Sequence, residues 1–280
     1  MHSVRNILVP IDFSLNSTIV LRHAIQIAKK ANAQITVFHA YSRPVVNRGK
    51  GKSFNFDKEG AEEKKLLCKL EKKIDYNFEM LAYSIPELKD IKTSYVKKRG
   101  LIVDLIVELA KQHKIDMIIM GTRGARGIDE IWGTKAADVS LEVKVPVLIM
   151  PYESQIKKHA KIALAYDFEK IKDFKPLNSL RLLAEVYDAE VQIINISDED
   201  INSGKSLDEI QNYLKGLNVS LHLKKHSDVE EGLGEHIQHH DVSVLVVLHR
   251  SRNFLMDLFH DSLTERMALR SRIPILVLEV

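Results

Sequence analysis

The sequence contains two copies of one pattern. Residues 6–13 (NILVPIDF) recur as residues 161–168 (KIALAYDF), 155 positions later. Further along, residues 116–150 align with residues 244–278 at an offset of 128 without a gap, so the first copy is longer by 27 residues. A repeat of this length indicates that one structural unit is built twice.

Each copy has the order of elements that is typical of an α/β domain. Five short apolar runs alternate with helical patterns, and the runs at 7–11 and 117–120 show no polar alternation. Such strands are buried on both faces, and connections through helices make the sheet parallel. We therefore expect two doubly wound, five-stranded parallel-sheet domains in tandem. We place them at residues 1–151 and 158–280, joined by a short polar stretch.

The last apolar run of each copy, residues 145–149 and residues 273–278, is expected to form a sheet edge. Exposed edges tend to pair with other strands. We expect these two edges to pair with each other, which would make the chain an intramolecular pseudo-dimer. Whether two chains then form a homodimer is left open by the sequence.

A glycine-rich turn follows the fourth apolar run of the first copy. Gly121 and Gly124 come first, and Gly133 and Thr134 follow after eight intervening residues, at the start of a helix. Glycines let backbone N–H groups approach an anion, and a helix N-terminus adds donors and a positive dipole end. The Thr134 hydroxyl and the N–H groups of Thr134 and Lys135 can join them. The turn predicts phosphate binding; the alternatives are a tight packing turn and, for Lys135, a solvated helix face.

Asp12 ends the first apolar strand, beside the crevice that such a sheet is expected to have. A carboxylate there can accept hydrogen bonds from an adenine amine or a ribose hydroxyl. Ser14 and Ser17 fit a helix start, so Asp12 can equally be a turn or N-cap residue. Asp167 repeats it in the second copy, which ties the position to the fold.

The surplus length of the first copy lies largely in residues 42–60. This segment carries four cations, at Arg43, Arg48, Lys50 and Lys52. The simpler interpretation is a surface loop. The alternative is a lid whose cations reach bound phosphates, because loops at the carboxyl ends of parallel strands border the ligand crevice.

Composition excludes several classes of protein. The chain has 280 residues and a net charge of +3, without the clustered basic surface expected for nucleic-acid binding. It has neither a signal-peptide pattern nor an apolar run of ~18 residues, so we expect no membrane span and a cytoplasmic location. The single cysteine, Cys68, allows no internal disulfide.

The histidines are not expected to carry chemistry. His39 ends the second apolar run and is interpreted as a packed or backbone-bonded residue. His236, His239 and His240 could ligate a metal, but no Glu or Cys partner with metal-site spacing accompanies them, so no metal site is predicted. No catalytic residue is predicted either, because no carboxylate–histidine pair with general-base geometry can be inferred.

With these residues the sequence resembles the universal stress protein family, in a tandem two-domain form. Gly121, Gly124, Gly133 and Thr134 are similar to the family's glycine loop, with eight residues instead of nine before the last pair, and residues 7–12 resemble its first strand. The resemblance covers nearly all of the chain. It implies Rossmann-like, adenine-nucleotide-binding domains that bind ATP with a divalent ion, Mg²⁺, on the phosphates.

The resemblance also implies roles for single residues. Asp12 would meet the adenosine and the backbone of Ala40 would meet the adenine. Met120 and the N–H groups of Lys135 and Ala136 would line the phosphates. The family's last strand pairs across a dimer, which agrees with the edge pairing expected within this chain.

The second copy lacks the glycines of the first. At the 128-residue offset, His249, Arg252 and Asp261 stand where the three glycines stand. Their side chains fill the space that a phosphate needs, and the charge of Asp261 repels it by several kcal/mol in a crevice of low dielectric constant. We therefore expect ATP binding in the first domain only.

The leading hypothesis is an ATP-binding, stress-response regulatory protein that works through a protein partner the sequence does not identify. Its second domain serves as the pseudo-dimer partner of the first. Two alternatives stay open: a slow ATP hydrolase or nucleotidyl-transfer enzyme, and a scaffold that binds no nucleotide.

Overall fold

The computed structural model describes residues 4–43, 56–122, 134–152, 154–198, 204–249 and 273–280. The described residues of the first half form nine elements: β1 (Asn6–Pro10), α1 (Leu15–Ala31), β2 (Gln34–Tyr41), α2 (Phe56–Ser84), β3 (Thr93–Arg99), α3 (Ile102–Gln112), β4 (Met117–Gly121), α4 (Thr134–Glu142) and β5 (Val147–Met150). A 3₁₀ helix, Pro86–Asp90, leads from α2 into β3.

The second half follows the same order wherever its residues are described. Its described elements are β6 (Lys161–Ala165), α5 (Leu177–Tyr187), β7 (Glu190–Ser197), α6 (Gly204–Tyr213), β8 (Asn218–Lys225), α7 (Val229–His239), β9 (Val244–His249) and β10 (Ile275–Glu279). The alternation of strands and helices expected from the sequence is therefore present in both halves.

All ten described strands belong to one sheet, in the order β3-β2-β1-β4-β5-β10-β9-β6-β7-β8. The five strands within each half are parallel, as predicted. The two halves meet where β5 and β10 pair antiparallel, with Val147 opposite Val277 and Ile149 opposite Ile275. This is the edge-to-edge pairing expected from the sequence, and it leaves β3 and β8 as the outer strands.

The strands are apolar because helices cover both faces of the sheet. Helices α1, α2, α5 and α6 contribute to a core on one face, and α3, α4 and α7 contribute to a core on the other. The apolar stripe of α1 is buried as its 3.6-residue spacing predicts, with Leu21 and Ala24 fully covered. Each core contains residues of both halves, so burial is continuous across the β5–β10 junction.

Helices α1 and α5 also join the halves by a polar contact. The Nδ1 atom of His23 and the hydroxyl of Tyr187 lie 2.8 Å apart in a buried setting. Burial lowers the pKa of His23 and raises the pKa of Tyr187 well above its ordinary value. The neutral imidazole and neutral phenol therefore form one hydrogen bond where the two halves touch.

Strand pairing corrects the alignment of the two halves. Ile7 pairs with Met117, and Ile162 pairs with Val244, so β4 and β9 correspond at an offset of 127. Strands β5 and β10 correspond at 128, which means that the gapless alignment over residues 116–150 was wrong. The structural counterpart of Gly121 is Leu248, because Gly121 pairs with Met150 and Leu248 pairs with Leu278.

The expected loop at residues 42–60 is shorter than predicted. Helix α2 begins at Phe56, so residues 56–60 are helical and that part of the prediction was wrong. Arg43, one of the four cations, forms an ion pair with Glu63. The other three cations lie outside the described residues. In the described parts of the chain, no helix combines the length and the apolar character needed to cross a bilayer.

Candidate functional site

The candidate site lies where the direction of winding changes in the first half. Strand β1 is between β2 and β4 in the sheet, and the connections after β1 and β4 leave on opposite faces. Ligands of doubly wound sheets bind outside the carboxyl ends of the strands at such a switch point. Four predicted residues meet at this edge: Asp12 just beyond β1, Ala40 near the end of β2, and Met120 and Gly121 at the end of β4.

Asp12 stabilises the turn from β1 into α1. Its Oδ1 accepts the Ser14 N–H at 3.0 Å, and Ser14 caps the helix by accepting the Ser17 N–H at 3.2 Å. Between them, Phe13 has a left-handed backbone with φ of 63°. Ser14 is thus the N-cap, and Asp12 is the turn residue that orients it. A carboxylate offers about four lone-pair sites, so this turn role is compatible with ligand contact.

His39 ties β2 to the end of β1. Its Nδ1 donates to the Ile11 carbonyl at 2.8 Å, because a carbonyl oxygen can only accept. The Phe13 ring packs against the imidazole with 4.7 Å between centroids. The interpretation of His39 as a backbone-bonded residue is therefore confirmed. Next to it, Ala40 is half-buried and pairs with Lys98 of β3.

The structure shows why position 121 needs a glycine, which the sequence did not reveal. A Cβ at this position would lie 2.5 Å from Nδ2 of Asn16, a residue of α1 that is 2% exposed. Directly after Gly121, the Thr122 N–H donates to the Met150 carbonyl at 3.1 Å. The side chain of Met120 lies in the core, so only its backbone is available to the crevice.

Three further predicted residues open helix α4. Thr134 is its first residue, Lys135 is exposed, and the side chain of Ala136 is buried. The first N–H groups of a helix have no partner within the helix, so these residues offer backbone donors. Gly124 and Gly133, the remaining two predicted residues, lie outside the described part of the chain.

The second half keeps the first part of this arrangement. The Oδ1 of Asp167 accepts the Glu169 N–H at 3.1 Å, and Phe168 has φ of 60°, close to that of Phe13. The Nδ2 of Asn195 donates to the Tyr166 carbonyl at 2.8 Å, as His39 does to Ile11. These features therefore belong to the fold, as the recurrence of Asp12 and Asp167 in the sequence indicated.

The following helix starts in a different place in the two halves. Helix α1 begins at Leu15, three residues after Asp12, whereas α5 begins at Leu177, ten residues after Asp167. The first N–H groups of α5 donate to carbonyls of residues 174–176 at 3.0–3.1 Å, and its N-cap makes no side-chain hydrogen bond. In residues 154–198, no helix thus begins at the position that corresponds to the start of α1.

Sequence reasoning missed two residues of this region. Asn16 was not considered, although it fills the space beside Gly121. Phe13 was not considered either, although it adopts the left-handed conformation and contacts His39 and Phe78. The repeated Asp-Phe pair at 12–13 and 167–168 was a usable signal for the second of these.

A separate cavity of about 620 Å³ lies at the opposite edge of the sheet. It is lined by residues that begin strands, such as Asn6 and Gln34, and by Asn32 and Asp90. Because it opens at the amino ends of the strands, it is distinct from the switch point.

Comparison with known proteins gives a consistent result. The model of the Universal stress protein family matches residues 3–151. Universal stress protein A homolog 1 of Coxiella burnetii is 28% identical over 137 residues, which is 47% of this chain and 85% of that protein.

Among solved structures, a universal stress protein from Archaeoglobus fulgidus has a TM-score of 0.65 and 21% identity, covering 99% of this chain and 97% of its own. A protein described as a putative universal stress protein from Pseudomonas aeruginosa has a TM-score of 0.62 and 15% identity, with 99% and 93% covered. At these identities the two structures establish the fold of the whole chain.

Proposed function

Because the chain belongs to the universal stress protein family, we propose that it is an ATP-binding, stress-response regulatory protein. Its first domain, residues 1–151, holds the nucleotide. Its second domain, residues 158–280, acts as an intramolecular partner in place of a second subunit. The proposal makes the protein a nucleotide-dependent binding module, with no catalytic residue.

The observation that carries this proposal is the unequal start of the first helix in the two halves. In the first half the N-terminus of α1, capped by Ser14, lies at the switch point three residues after Asp12. The positive end of the helix dipole favours an anionic ligand there. In the second half the corresponding donors of α5 are used by residues 174–176, and they lie ten residues away from Asp167.

Several of the predicted residues that the structure describes can take part in this site. Asp12 can keep the Ser14 N–H on one oxygen and still accept a hydrogen bond from the adenosine. The first N–H groups of α4, at Thr134 and Lys135, can donate to phosphate oxygens. Backbone N–H groups cannot ligate a metal ion, so at the start of α4 Mg²⁺ would be held mainly by the phosphates, as Mg²⁺ often is.

The pseudo-dimer part of the proposal is supported by the central strand pair. Strands β5 and β10 align antiparallel over Val147–Ile149 and Ile275–Val277, and the cores on both faces continue across them. An edge that is already paired is not available to a second chain. The nucleotide signal would therefore be transmitted within one chain, to a partner yet to be identified.

Calorimetric titration of the full chain with ATP and Mg²⁺ tests the proposal. We expect one ATP per chain. Gly133→Asp places a carboxylate directly before Thr134, and it should abolish binding by repelling phosphate, whereas Gly133→Asn, equal in size but uncharged, should retain more of it. Equal binding by wild type and Gly133→Asp would overturn the site assignment.

Single-turnover measurement of phosphate release separates regulation from hydrolysis. We expect release from bound ATP to equal that of a control without protein. Release above the control would favour the hydrolase alternative, and absence of any ATP binding by the wild type would favour the scaffold.

A further inference from the structure

Three histidines of the second half lie close together, one on the outer strand β8 and two at the end of α7. His222 lies on β8, His236 lies in the last turn of α7, and His240 follows that helix as its C-cap. One ring nitrogen of each lies within 4.8 Å of the others. The ring centroids of His236 and His240 are 4.2 Å apart, and His222 is 4.8 Å from the first and 5.0 Å from the second.

Neighbouring hydrogen bonds select the tautomer of His222. The Ser220 hydroxyl donates its proton to Oε1 of Glu190 at 2.5 Å. Its oxygen can then only accept from Nε2 of His222, which lies 3.1 Å away. His222 therefore carries its proton on Nε2, and Nδ1 has the lone pair.

The same carboxylate selects the tautomer of His236. The side-chain amide of Gln192 donates from Nε2 to Oε1 of Glu190 at 3.5 Å, which turns its amide oxygen toward the helix. That oxygen accepts from Nε2 of His236 at 2.9 Å. His236 also keeps a lone pair on Nδ1. A histidine that donates one N–H to an oxygen partner while its other nitrogen stays unprotonated is the arrangement found around protein-bound metals.

The surroundings keep the cluster accessible and limit its charge. His236 is 4% exposed, whereas His222 and His240 are half-buried and reach the surface. Burial lowers the pKa of both His222 and His236, and the positive charges of Lys161, near His222, and Lys224, near His236, lower it further. Lys224 is paired with Glu235, and the carboxylate of Glu190 opposes Lys161.

The first half shows that the fold does not require these histidines. Val96 occupies the strand position of His222, since Phe38 pairs with Val96 and Ile194 pairs with His222. Leu109 occupies the helix position of His236, because its carbonyl accepts the N–H of the C-cap residue in the same way. At these two positions the first half has apolar side chains and the second half has imidazoles.

We propose that His222, His236 and His240 form a binding site for a divalent transition metal ion, with Zn²⁺ as the ion that fits best. Imidazole nitrogens suit Zn²⁺, Cu²⁺ and Ni²⁺, and three histidines leave a fourth position for water. Zn–N bonds of about 2.0–2.1 Å place tetrahedral ligand nitrogens about 3.4 Å apart, so the cluster contracts on binding. The half-buried rings of His222 and His240 can make that movement.

The bound ion would fasten the outer strand β8 to α7. Strand β8 has a neighbour on one side only, β7, in the described sheet. A ligand that binds the folded state alone raises its stability. This role is independent of ATP, which is proposed to bind in the other half.

Equilibrium dialysis of the untagged, metal-stripped full chain against Zn²⁺ tests this site. We expect one Zn²⁺ per chain and a higher midpoint of thermal unfolding with the ion. His222→Val and His236→Leu introduce the side chains that pack the first half, so both variants should fold. Each should lower the affinity for Zn²⁺ at least tenfold and remove the thermal shift.

His239→Ala and His113→Ala are the matched controls. His239 is exposed on the same helix, and His113 is the C-cap of α3, the counterpart of His240. Both variants should bind Zn²⁺ as the wild type does. The proposal is overturned if the wild type binds less than about one ion per five chains, or if His222→Val binds as well as the wild type. A loss in His239→Ala equal to that in His222→Val would also overturn it.

Discussion

The two halves share a sheet topology and differ at its functional edge. Both place Asp-Phe after the first strand with nearly the same left-handed turn, at Phe13 and Phe168. Yet α1 has 17 residues and starts at the switch point, whereas α5 has 11 and starts ten residues beyond Asp167. The comparison separates what the fold needs from what a ligand needs. The recurring Asp-Phe pairs stabilise the turn after the first strand. The different starts of α1 and α5 show where ligand binding is proposed.

The largest effect is expected where Gly121 contacts α1. In Gly121→Ala the new Cβ meets Nδ2 of the buried Asn16, and overpacking of this kind costs up to about 3 kcal/mol. Leu248 occupies the same register position in the second half, where no glycine is required. Urea unfolding should show the loss, and ATP affinity should fall with it.

A double-mutant cycle checks the cause. In an Asn16→Ala background the added Cβ has room, so Gly121→Ala should cost much less than it does alone. The same loss in both backgrounds would show that the clash with Asn16 is not responsible.

The next effect is expected where α1 and α5 join the halves. Tyr187→Phe removes the hydroxyl that pairs with His23 and leaves a buried ring nitrogen without its partner, at about 1–2 kcal/mol. Tyr213→Phe is the control within one half, because the Tyr213 hydroxyl bonds Asn178 in a partly exposed setting. Denaturation midpoints should fall more for Tyr187→Phe. A larger loss in Tyr213→Phe would mean that the junction contributes little.

At the two recurring aspartates we expect no loss of stability, and a change in ATP affinity only at Asp12. Asparagine keeps the oxygen that accepts the turn N–H, so Asp12→Asn and Asp167→Asn should both fold normally. Loss of the charge at Asp12 should raise the Kd for ATP about tenfold, or about 1.4 kcal/mol. Asp167→Asn should leave the Kd unchanged. Calorimetry that finds the two variants equally impaired, or equally unaffected, contradicts the assignment of ATP to the first half.

A smaller effect should appear as a pH dependence at the junction. His23 has a lowered pKa in the folded chain because it is buried, and about 6.5 when unfolded. Below pH 6.5 the unfolded chain gains a proton that the folded chain excludes, so the free energy of unfolding falls as the pH drops. Above pH 6.5 this contribution is fully present. In His23→Gln, which keeps a polar partner for Tyr187, the slope between pH 6.5 and 5 should be shallower than in the wild type.

The smallest effect is expected at an ion pair that both halves have. Lys98–Glu108 and Lys224–Glu235 join corresponding strands and helices, and the nearby lysine lowers the pKa of each glutamate. Exposed pairs contribute little because water and salt screen them. Lys98→Met and Lys224→Met should therefore change the midpoint of thermal unfolding only slightly, and this change should be smaller at high salt. A large loss in one half alone would reveal an asymmetry that the geometry does not show.

Much of the fold could be predicted because it depends on local patterns. The stripe at Leu21 and Ala24 identifies α1 through its helical periodicity, and the short unbroken apolar run 117–120 is typical of a buried strand. The start of α2 at Phe56 could not be predicted, since glycines and cations nearby favour a loop. The one-residue change of offset between β4 and β5 was also hidden, because the apolar residues of buried strands match at either register.

The candidate site was predictable in part. Asp12 and Gly121 follow from strand ends, whereas Ala40 and Met120 are implied only by the family resemblance. The sheet topology brings all four to one edge. Asn16 could not be found, because nothing in the sequence places its side chain beside Gly121. The roles of Gly124 and Gly133 stay predictions.

The sequence by itself determined that one α/β unit is built twice and that the glycines at 121, 124 and 133 have no glycine counterparts in the second copy. These properties are periodic or repeated along the chain, so they can be read without coordinates. Only the tertiary structure decided that α5 starts late, that β5 and β10 continue one sheet, and that His222 meets His236 and His240. The physical reason is that crossover connections bring distant residues together, and which side chains then touch depends on strand register and helix placement.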